Sequence, residues 1–526
     1  MMKRIYKNIA MLAVLVAGGS ALADQPQQSW LEVYQSQATV SARAQSAPIG
    51  KKVHYQGTQA LLSSQLVQQL SGMGTPTLPG TILSSRLLAS LSGIDSSLLP
   101  DGSTLATYLG AWAQSYVPDV SLYAITYRSQ GVNGAPTKVS GLVVVPENST
   151  QAKDPDAVLV YMHATTTQDN NAPSERSQEA YAVITAFTHP GAVLAMPDYL
   201  GYGANKGNHP YAMGELNAPA GRSMIIATRE LMKKLKRPVG NQVFITGYSE
   251  GGGNALWLTR YLEERGEANL LPTRSAPMSG PYDLSGATAR SFIGSQPPLT
   301  FQENFASKPT LLSFAGVSTA KIIKQPVNSL LQDPLAQEAK GQFPGKLSDT
   351  NLGVRLLTTA INDLAYVNYA TLSPNPQNLL QPGLVTAIQQ HDLSNPAIRL
   401  WSQNDNLDWT PQAPVMLFGI LQDELVPFAS STYPVPASWK TLTPPAIPAP
   451  YAEGNAENLM VALRAQGIGA DRVGWTAFNG AVQSLTSPVV MNHAAGMLPC
   501  SILAQSYLFS PAIEIPQLSD PLRQPK

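Results

Sequence analysis

The chain has 526 residues, of which 44% are hydrophobic and 13% charged, and its 34 Lys+Arg balance its 34 Asp+Glu. That is long for one compact core, so one large domain carrying a substantial insertion, or two domains, is expected. Sparse and balanced charge offers no basic stripe to neutralise phosphates, which argues against a nucleic-acid partner.

Residues 1–23 read as a signal peptide. Lys3, Arg4 and Lys7 precede an apolar run from Ile9 to Val16, and Ala21-Leu22-Ala23 fits a small-x-small cleavage site, so a mature chain beginning at Asp24 is expected. The run is too short to span a bilayer, and no later stretch approaches the roughly 20 apolar residues of a transmembrane segment. Export as a soluble protein, to the periplasm or the outside, is the expectation. Cys500 is the only cysteine, which leaves no intramolecular disulfide and no cysteine for lipid attachment behind the signal. It reads as a small buried hydrophobe. Residues 24–115, rich in Gln, Ser, Leu and Ala with Pro and Gly interruptions, read as an irregular, partly helical extension packed on the main domain.

From Ser121 the texture changes. "SLYAITYRSQ" and "KVSGLVVVP" flank a turn-rich "GVNGAPT" and predict an antiparallel pair of strands. "AVLVYMH", "AVLAMPD" and "QVFITG" are short apolar runs of the kind buried on both faces of a parallel sheet. Between them, "APSERSQEAYAVITAF" predicts a helix with Ser174 as N-cap and Glu175 in its first turn, and "APAGRSMIIATRELMKKL" predicts one that ends in lysines. Strands alternating with helices mean a mostly parallel, doubly wound α/β sheet, whose ligand crevice lies beyond the carboxyl ends of the strands. The strand "TRSAPMSG" is separated from the next, "APVMLFGILQDELVP", by over 100 residues, which must be an inserted subdomain. "TLLSFAGVSTAKII" and "VRLLTTAINDLAYVNYA" make it mainly helical. "DRVGWTAFNG" is the last predicted strand, with "NHAAGM" after it. The expected division is a core of residues 116–284 and 411–526 and a helical cap of 285–410.

Within "VFITGYSEGGGNALWL", Gly247-Tyr248-Ser249-Glu250-Gly251 fixes three positions of Gly-x-Ser-x-Gly, a pattern too loose to decide anything alone. Its context is specific. "QVFIT" predicts a strand and "GGNALWLTRYLEERG" a helix, which places Ser249 on the sharp strand-to-helix turn of a nucleophile elbow. Gly247 and Gly251 relieve crowding there, and Gly252 and Gly253 let helix and sheet approach closely. The helix N-terminus offers the backbone N–H of Glu250 to a developing oxyanion. A carboxylate beside an oxyanion would oppose it, so the Glu250 side chain is expected to turn away, toward the helix N-terminus or a cation.

Serine needs a base, and on such a sheet an acid and then a histidine follow it along the chain. His54, His163, His189 and His209 precede Ser249, and His391 lies in the insertion, which leaves His493 beyond the last strand. Asp423, on the loop leaving the penultimate strand, is the expected acid. Glu424 is its nearest competitor and Asp283, in "GPYD", the topological alternative. Asp198, Tyr199, His209 and Tyr211, in the segment "PDYLGYGANKGNHPY" beyond another strand end, are expected at the pocket mouth, with His163 beside them. No His, Cys and Asp cluster has metal-ligand spacing and no glycine loop fits a dinucleotide or P-loop site, so no metal or cofactor is expected.

Taken in order, "YMHATTTQDNNAPS", "PDYLGYGANKGNHPY", "GYSEGG", "GILQDELVP" and "NHAAG" resemble the α/β-hydrolase superfamily, and more narrowly the secretory lipase family and its bacterial relatives. The resemblance spans Tyr161 to Gly496. It implies the α/β-hydrolase fold, esterase or lipase chemistry on a small-molecule or lipid ester, a helical cap before the penultimate strand, and a second oxyanion donor after the "VLVYMH" strand. That donor is the backbone N–H of Ala164 or of Thr165; relatives commonly read His-Gly where this chain has His163-Ala164. The other readings of the same machinery are a serine peptidase or amidase, and a non-catalytic binding protein.

Overall fold

The computed structural model describes residues 38–39, 53–55, 59–62, 99–103, 108, 120–146, 155–294, 302–371, 373–421, 423–441, 451–479, 481–483, 488–490, 493–494, 496–509 and 514–522. The expected signal peptide and most of the extension to 115 lie outside them. Within the extension, β1 (Ala38–Thr39), β2 (Val53–Tyr55) and β3 (Gln59–Leu62) are strands where the sequence predicted none. Backbone pairing with a neighbouring strand edge, rather than any β-rich composition, accounts for them.

The predicted hairpin forms as β4 (Val120–Gln130) and β5 (Pro136–Pro146), paired antiparallel along their full length. It is followed by β6 (Ala157–Met162), α1 (Gln178–Phe187), β7 (Ala192–Pro197), α2 (Gly214–Lys234), β8 (Gln242–Tyr248), α3 (Glu250–Arg265) and β9 (Arg274–Met278). The sheet runs β4-β5-β7-β6-β8-β9 before the strands beyond the insertion join it; β2 and β3 pair with β4, and β1 with β3. All residues of β6 and β7 are buried. The reason is visible in their alternation: Val158, Val160 and Met162 pack with α2 and α3, while Leu159 and Tyr161 pack with α1 on the opposite face.

The α1 helix starts later than predicted. Ser177, not Ser174, caps it, accepting from the Ala180 N–H at 3.2 Å. Arg176 at φ 64° breaks the chain between a single 3₁₀ turn and the helix, and the Ser174 hydroxyl is instead held by Asp198 at 2.5 Å.

The insertion is mainly helical, as expected. A π turn (Leu284–Thr288) leads into α4 (Ala289–Ile293), then come α5 (Gln302–Ile322), α6 (Leu335–Ala339) and α7 (Asp349–Asp363). A two-residue pairing of β10 (Val367–Asn368) with β11 (Ser373–Pro374) precedes α8 (Pro382–Gln390) and α9 (Pro396–Ser402). Ser348 caps α7, and its buried Leu352, Leu356, Leu357, Ala360 and Ile361 recur at helical spacing on one face. Those side chains join Phe314, Val317 and Leu384 in a core of the insertion's own, which reaches the body at Tyr211 and Met213. The sheet resumes with β12 (Val415–Ile420) beside β9, followed by α10 (Asn455–Ala465), β13 (Val473–Phe478) and α11 (Met497–Phe509). Cys500 on α11 is buried. Along the run β7-β6-β8-β9-β12-β13 the strands are parallel, the doubly wound arrangement of the α/β-hydrolase fold.

Close approach at the start of α3 has a steric requirement. A Cβ at Gly251 would stand 1.9 Å from the Met162 carbonyl oxygen and 2.6 Å from that of His163, and neither backbone atom can move without displacing β6. At Gly383, in the first turn of α8, a Cβ would meet nothing within 4 Å. Gly251→Ala is therefore expected to give no soluble folded protein, while Gly383→Ala should leave the melting temperature unchanged or raise it, the helical preference for Ala over Gly being up to about 1 kcal/mol. Soluble yield and thermal melts of the two variants check this pair.

Candidate active site

Ser249 sits between β8 and α3 with φ 58° and ψ −124°, a conformation that costs a non-glycine residue about 1–3 kcal/mol. Its own N–H donates to the Met278 carbonyl on β9 at 3.0 Å, and its carbonyl accepts from Gly252 N–H at 2.8 Å, so the turn is fixed from both sides. Its Oγ lies 2.8 Å from His493 Nε2, and His493 Nδ1 lies 2.7 Å from Asp423 Oδ2. A carboxylate at Nδ1 assigns the hydrogen to that nitrogen, which leaves Nε2 as the acceptor of the serine proton.

Asp423 is fully buried, and its second oxygen accepts the backbone N–H groups of Leu425 at 3.0 Å and Val426 at 2.8 Å. Glu424, the competing acid, points elsewhere: its two oxygens accept the His493 backbone N–H at 3.2 and 3.0 Å. The Tyr248 hydroxyl donates to the His493 carbonyl at 2.5 Å, so the histidine is held at both ends of its main chain. Asp283 is occupied as the cap of the π turn, accepting from Gly286, Ala287 and the Asn458 amide.

Among the described residues no acceptor takes the backbone N–H of Glu250 or of Thr165, and both residues line the cavity into which Ser249 opens. Ala164 is different. Its N–H donates to Glu179 Oε1 at 2.7 Å, which removes it as an oxyanion donor and leaves Thr165 as the better of the two candidates. Burial pushes the Glu179 carboxyl up to about 7, against the pull of the Ala164 N–H and the Tyr161 hydroxyl. Glu179 was invisible to sequence reasoning because its partner lies on another element; its place in the first turn of α1 is the one signal it gave.

The cavity holds about 380 Å³. Its floor carries Ser249 and His493, one wall Leu425, Val426 and Met497, and its roof Leu311, Leu312, Leu384, Ile388 and Trp401 from the insertion. Of the five residues expected at its mouth, Tyr211 lines it. His163, Asp198, Tyr199 and His209 do not: each is at most 2% exposed, in a stacked layer below the loops. Asp198 binds the hydroxyls of Ser140 and Ser174 at 2.5 Å each, His163 stacks on Tyr199 at 4.0 Å, and His209 reaches Glu250 at 2.6 Å. The position beyond a strand end was read correctly, but buried hydrogen-bond partners draw these side chains inward. The Glu250 side chain turns away from the cavity, toward His209.

No group of three or more His, Cys, Asp or Glu side chains is gathered as for a metal ion among the described residues.

The sequence matches no protein-family profile and no curated protein. Solved structures do match. The rice cell-wall-degrading esterase LipA of Xanthomonas oryzae is 20% identical over 88% of this chain and 97% of its own, with a TM-score of 0.57. A Legionella pneumophila protein assigned as a hydrolase is 21% identical over 80% of this chain and 98% of its own, again with a TM-score of 0.57. Similarity at this identity establishes a shared fold.

The two acids make different predictions. Asp423→Asn leaves His493 unable to keep the tautomer that accepts from Ser249, so the rate of labelling by a fluorophosphonate should fall by about 10³–10⁴-fold. Asp283→Asn should lower the melting temperature and leave the labelling rate within a few fold. Mass-spectrometric labelling time courses and melts on both variants check the assignment; a reversal of the two would place the orienting acid after β9.

Proposed function

We propose that the chain is an exported serine hydrolase that cleaves carboxylic esters with an apolar acyl group through an acyl-enzyme. The observation that carries the reading is the Ser249–His493–Asp423 chain at the floor of a cavity with apolar walls. Ser249 Oγ attacks the ester carbonyl carbon while His493 Nε2 takes its proton. The carbonyl oxygen, now an anion, meets the N–H of Glu250 at the positive end of α3 and the N–H of Thr165. Collapse breaks the bond to the alkoxy oxygen, which leaves with the proton from His493. Water, deprotonated by the same nitrogen, then attacks the acyl-serine, and the acid departs. Asp423 keeps the imidazole oriented and stabilises its positive form in both halves.

Ester rather than peptide chemistry is favoured by the walls. Among the described residues lining the cavity the one acid is Glu250, whose carboxyl turns away to His209, so a peptide's charges would find no partner there, and an unpaired charge is strongly penalised. The esterase activity of the Xanthomonas oryzae protein, which shares the fold, points the same way. Each acyl methylene buried against the roof contributes about 0.8 kcal/mol. Export rests on the sequence of residues 1–23.

With p-nitrophenyl esters, kcat/KM should rise with acyl length over the first several carbons and then level off, and aminoacyl p-nitroanilides should be cut poorly. Trp substitutions at Leu384 or Ile388 should shorten the plateau without changing phosphonate labelling at Ser249. A flat profile indifferent to those substitutions would separate the cavity from the acyl site, and preferential anilide cleavage would favour the amidase reading. N-terminal sequencing of exported protein is expected to begin at Asp24.

A further inference from the structure

His209 and Glu250 form a buried pair just beneath the nucleophile. Glu250 supplies the main-chain N–H next to Ser249, yet its side chain runs back into the body, where Oε1 meets His209 Nε2 at 2.6 Å and the Ala212 N–H at 3.0 Å. The two side chains are 0% and 1% exposed. Its other oxygen, Oε2, has no partner among the described residues, so the carboxyl is held through a single atom. His209 Nδ1 lies 2.9 Å from the Leu200 carbonyl, an acceptor, and therefore carries a hydrogen. The Nε2···Oε1 contact contains a second proton. Burial pushes the Glu250 carboxyl up, but the His209 charge and hydrogen bond, with the Ala212 N–H, outweigh it and hold the carboxyl below its usual range. Because Oε1 already accepts the Ala212 N–H, it meets Nε2 as an acceptor, which is the geometry of an imidazolium–carboxylate pair.

The surroundings keep His209 in place. Its ring stacks on Tyr199 and packs against Tyr202, Tyr211 and Phe314, and its carbonyl accepts from Ser318 of α5 at 2.6 Å. The other titratable groups facing the pair are His163 and Glu179, from the loop after β6 and the first turn of α1. His163 is kept toward its neutral form, chiefly by burial. His209 is thus the cation nearest the Glu250 carboxylate.

We propose that His209 is a positioning residue whose charge neutralises Glu250, so that the start of α3 can stabilise the oxyanion rather than its own carboxylate. The proposal rests on Ser249 being the nucleophile. A carboxylate left uncompensated here would compete with the oxyanion for the field of the helix N-terminus and repel it directly.

His209→Gln tests this, since a glutamine can keep a hydrogen bond to Oε1 while removing the charge. Without that charge burial dominates, and the Glu250 carboxyl should ionise at higher pH than before. Below that ionisation the carboxyl is neutral and harmless; above it the anion opposes the reaction. With p-nitrophenyl butyrate, counted per phosphonate-labelled Ser249 so that only competent molecules enter, kcat of His209→Gln should therefore fall at least tenfold toward pH 9, whereas wild type stays level. KM should stay within about threefold. Adding Glu250→Gln to His209→Gln should remove the alkaline fall. A loss equal at all pH values, untouched by the second substitution, would overturn the proposal in favour of packing alone. If His209→Gln does not fold, ¹⁵N-histidine spectra of the wild-type protein at pH 7 decide: both ring nitrogens of the imidazole adjoining Phe314, which is that of His209 and not of His163, should carry hydrogen, and a singly protonated ring there would refute the pair. Failure of wild-type Ser249 to label would instead defeat the nucleophile assignment, leaving the spectra to judge the pair.

Discussion

The structure depends on backbone contact at the start of α3. Met162 and Met278 at the ends of β6 and β9 present carbonyl oxygens where Cβ atoms of Gly251 and Gly252 would stand, at 1.9 and 2.2 Å. With no side chains in the way, the helix N-terminus presses onto the sheet, and Ser249 is squeezed into a positive φ. Three consequences share this origin. The serine hydroxyl projects beyond the strands, the Glu250 N–H is left without an acceptor among the described residues, and the Glu250 side chain is sent backward into the body.

Around that turn the acids do one job repeatedly: they hold main-chain N–H groups of the loops and helix starts that follow the strands. Glu179 takes Ala164, Glu424 takes His493, Glu250 takes Ala212 and Asp198 takes Ser174. Asp423 does the same with Leu425 and Val426, and it alone of these also reaches the ring of His493. A buried carboxylate is costly unless it is well supplied with donors, and peptide N–H groups supply them without side-chain entropy. These loops are thereby held by internal hydrogen bonds, and donors fixed in that way can act on a charge without reorganisation.

Much of this was legible in the sequence, for physical reasons that differ by element. Buried parallel strands such as "AVLVYM" must be apolar on both faces, so they stand out. The elbow announces itself because Gly247, Gly251 and Gly252 each answer a close backbone approach. His493 and Asp423 could be named because chain order on a parallel sheet fixes which loops meet at its carboxyl edge. What could not be read depends on partners distant in sequence. Glu179 blocking Ala164, Asp198 turning to Ser140 and Ser174, and His209 turning to Glu250 all follow from contacts across 15 to 58 positions, to which local pattern is blind. The short edge strands β1–β3 escaped for a related reason: an edge strand is specified by the neighbour that offers free backbone groups, and its own composition can be unremarkable.

The cap shows how an apolar roof and a polar floor are joined without spoiling either. Its core is its own except where Tyr211 and Met213 of the body enter it, an apolar contact that by itself would let the two slide. Two polar ties prevent that. Ser318 of α5 accepts the Tyr211 N–H at 2.9 Å and donates to the His209 carbonyl, which fastens the cap to the segment carrying His209. Lys308, also on α5, is fully buried, donates to the Ser291 and Phe292 carbonyls at 2.6 and 3.2 Å, and lies 5.2 Å from the Tyr451 ring, whose hydroxyl donates to the Glu424 carbonyl. Burial drives the Lys308 ammonium well below its ordinary pKa, against the opposing attraction of Glu424. The first tie reaches the segment bearing His209; the second joins α5 to α4 within the cap and meets the body at the Tyr451 ring, whose hydroxyl holds the main chain of Glu424. If Ser249 is the nucleophile, the apolar lining that the cap contributes lowers the local dielectric above it, and each donor on the floor then acts more strongly on a developing anion.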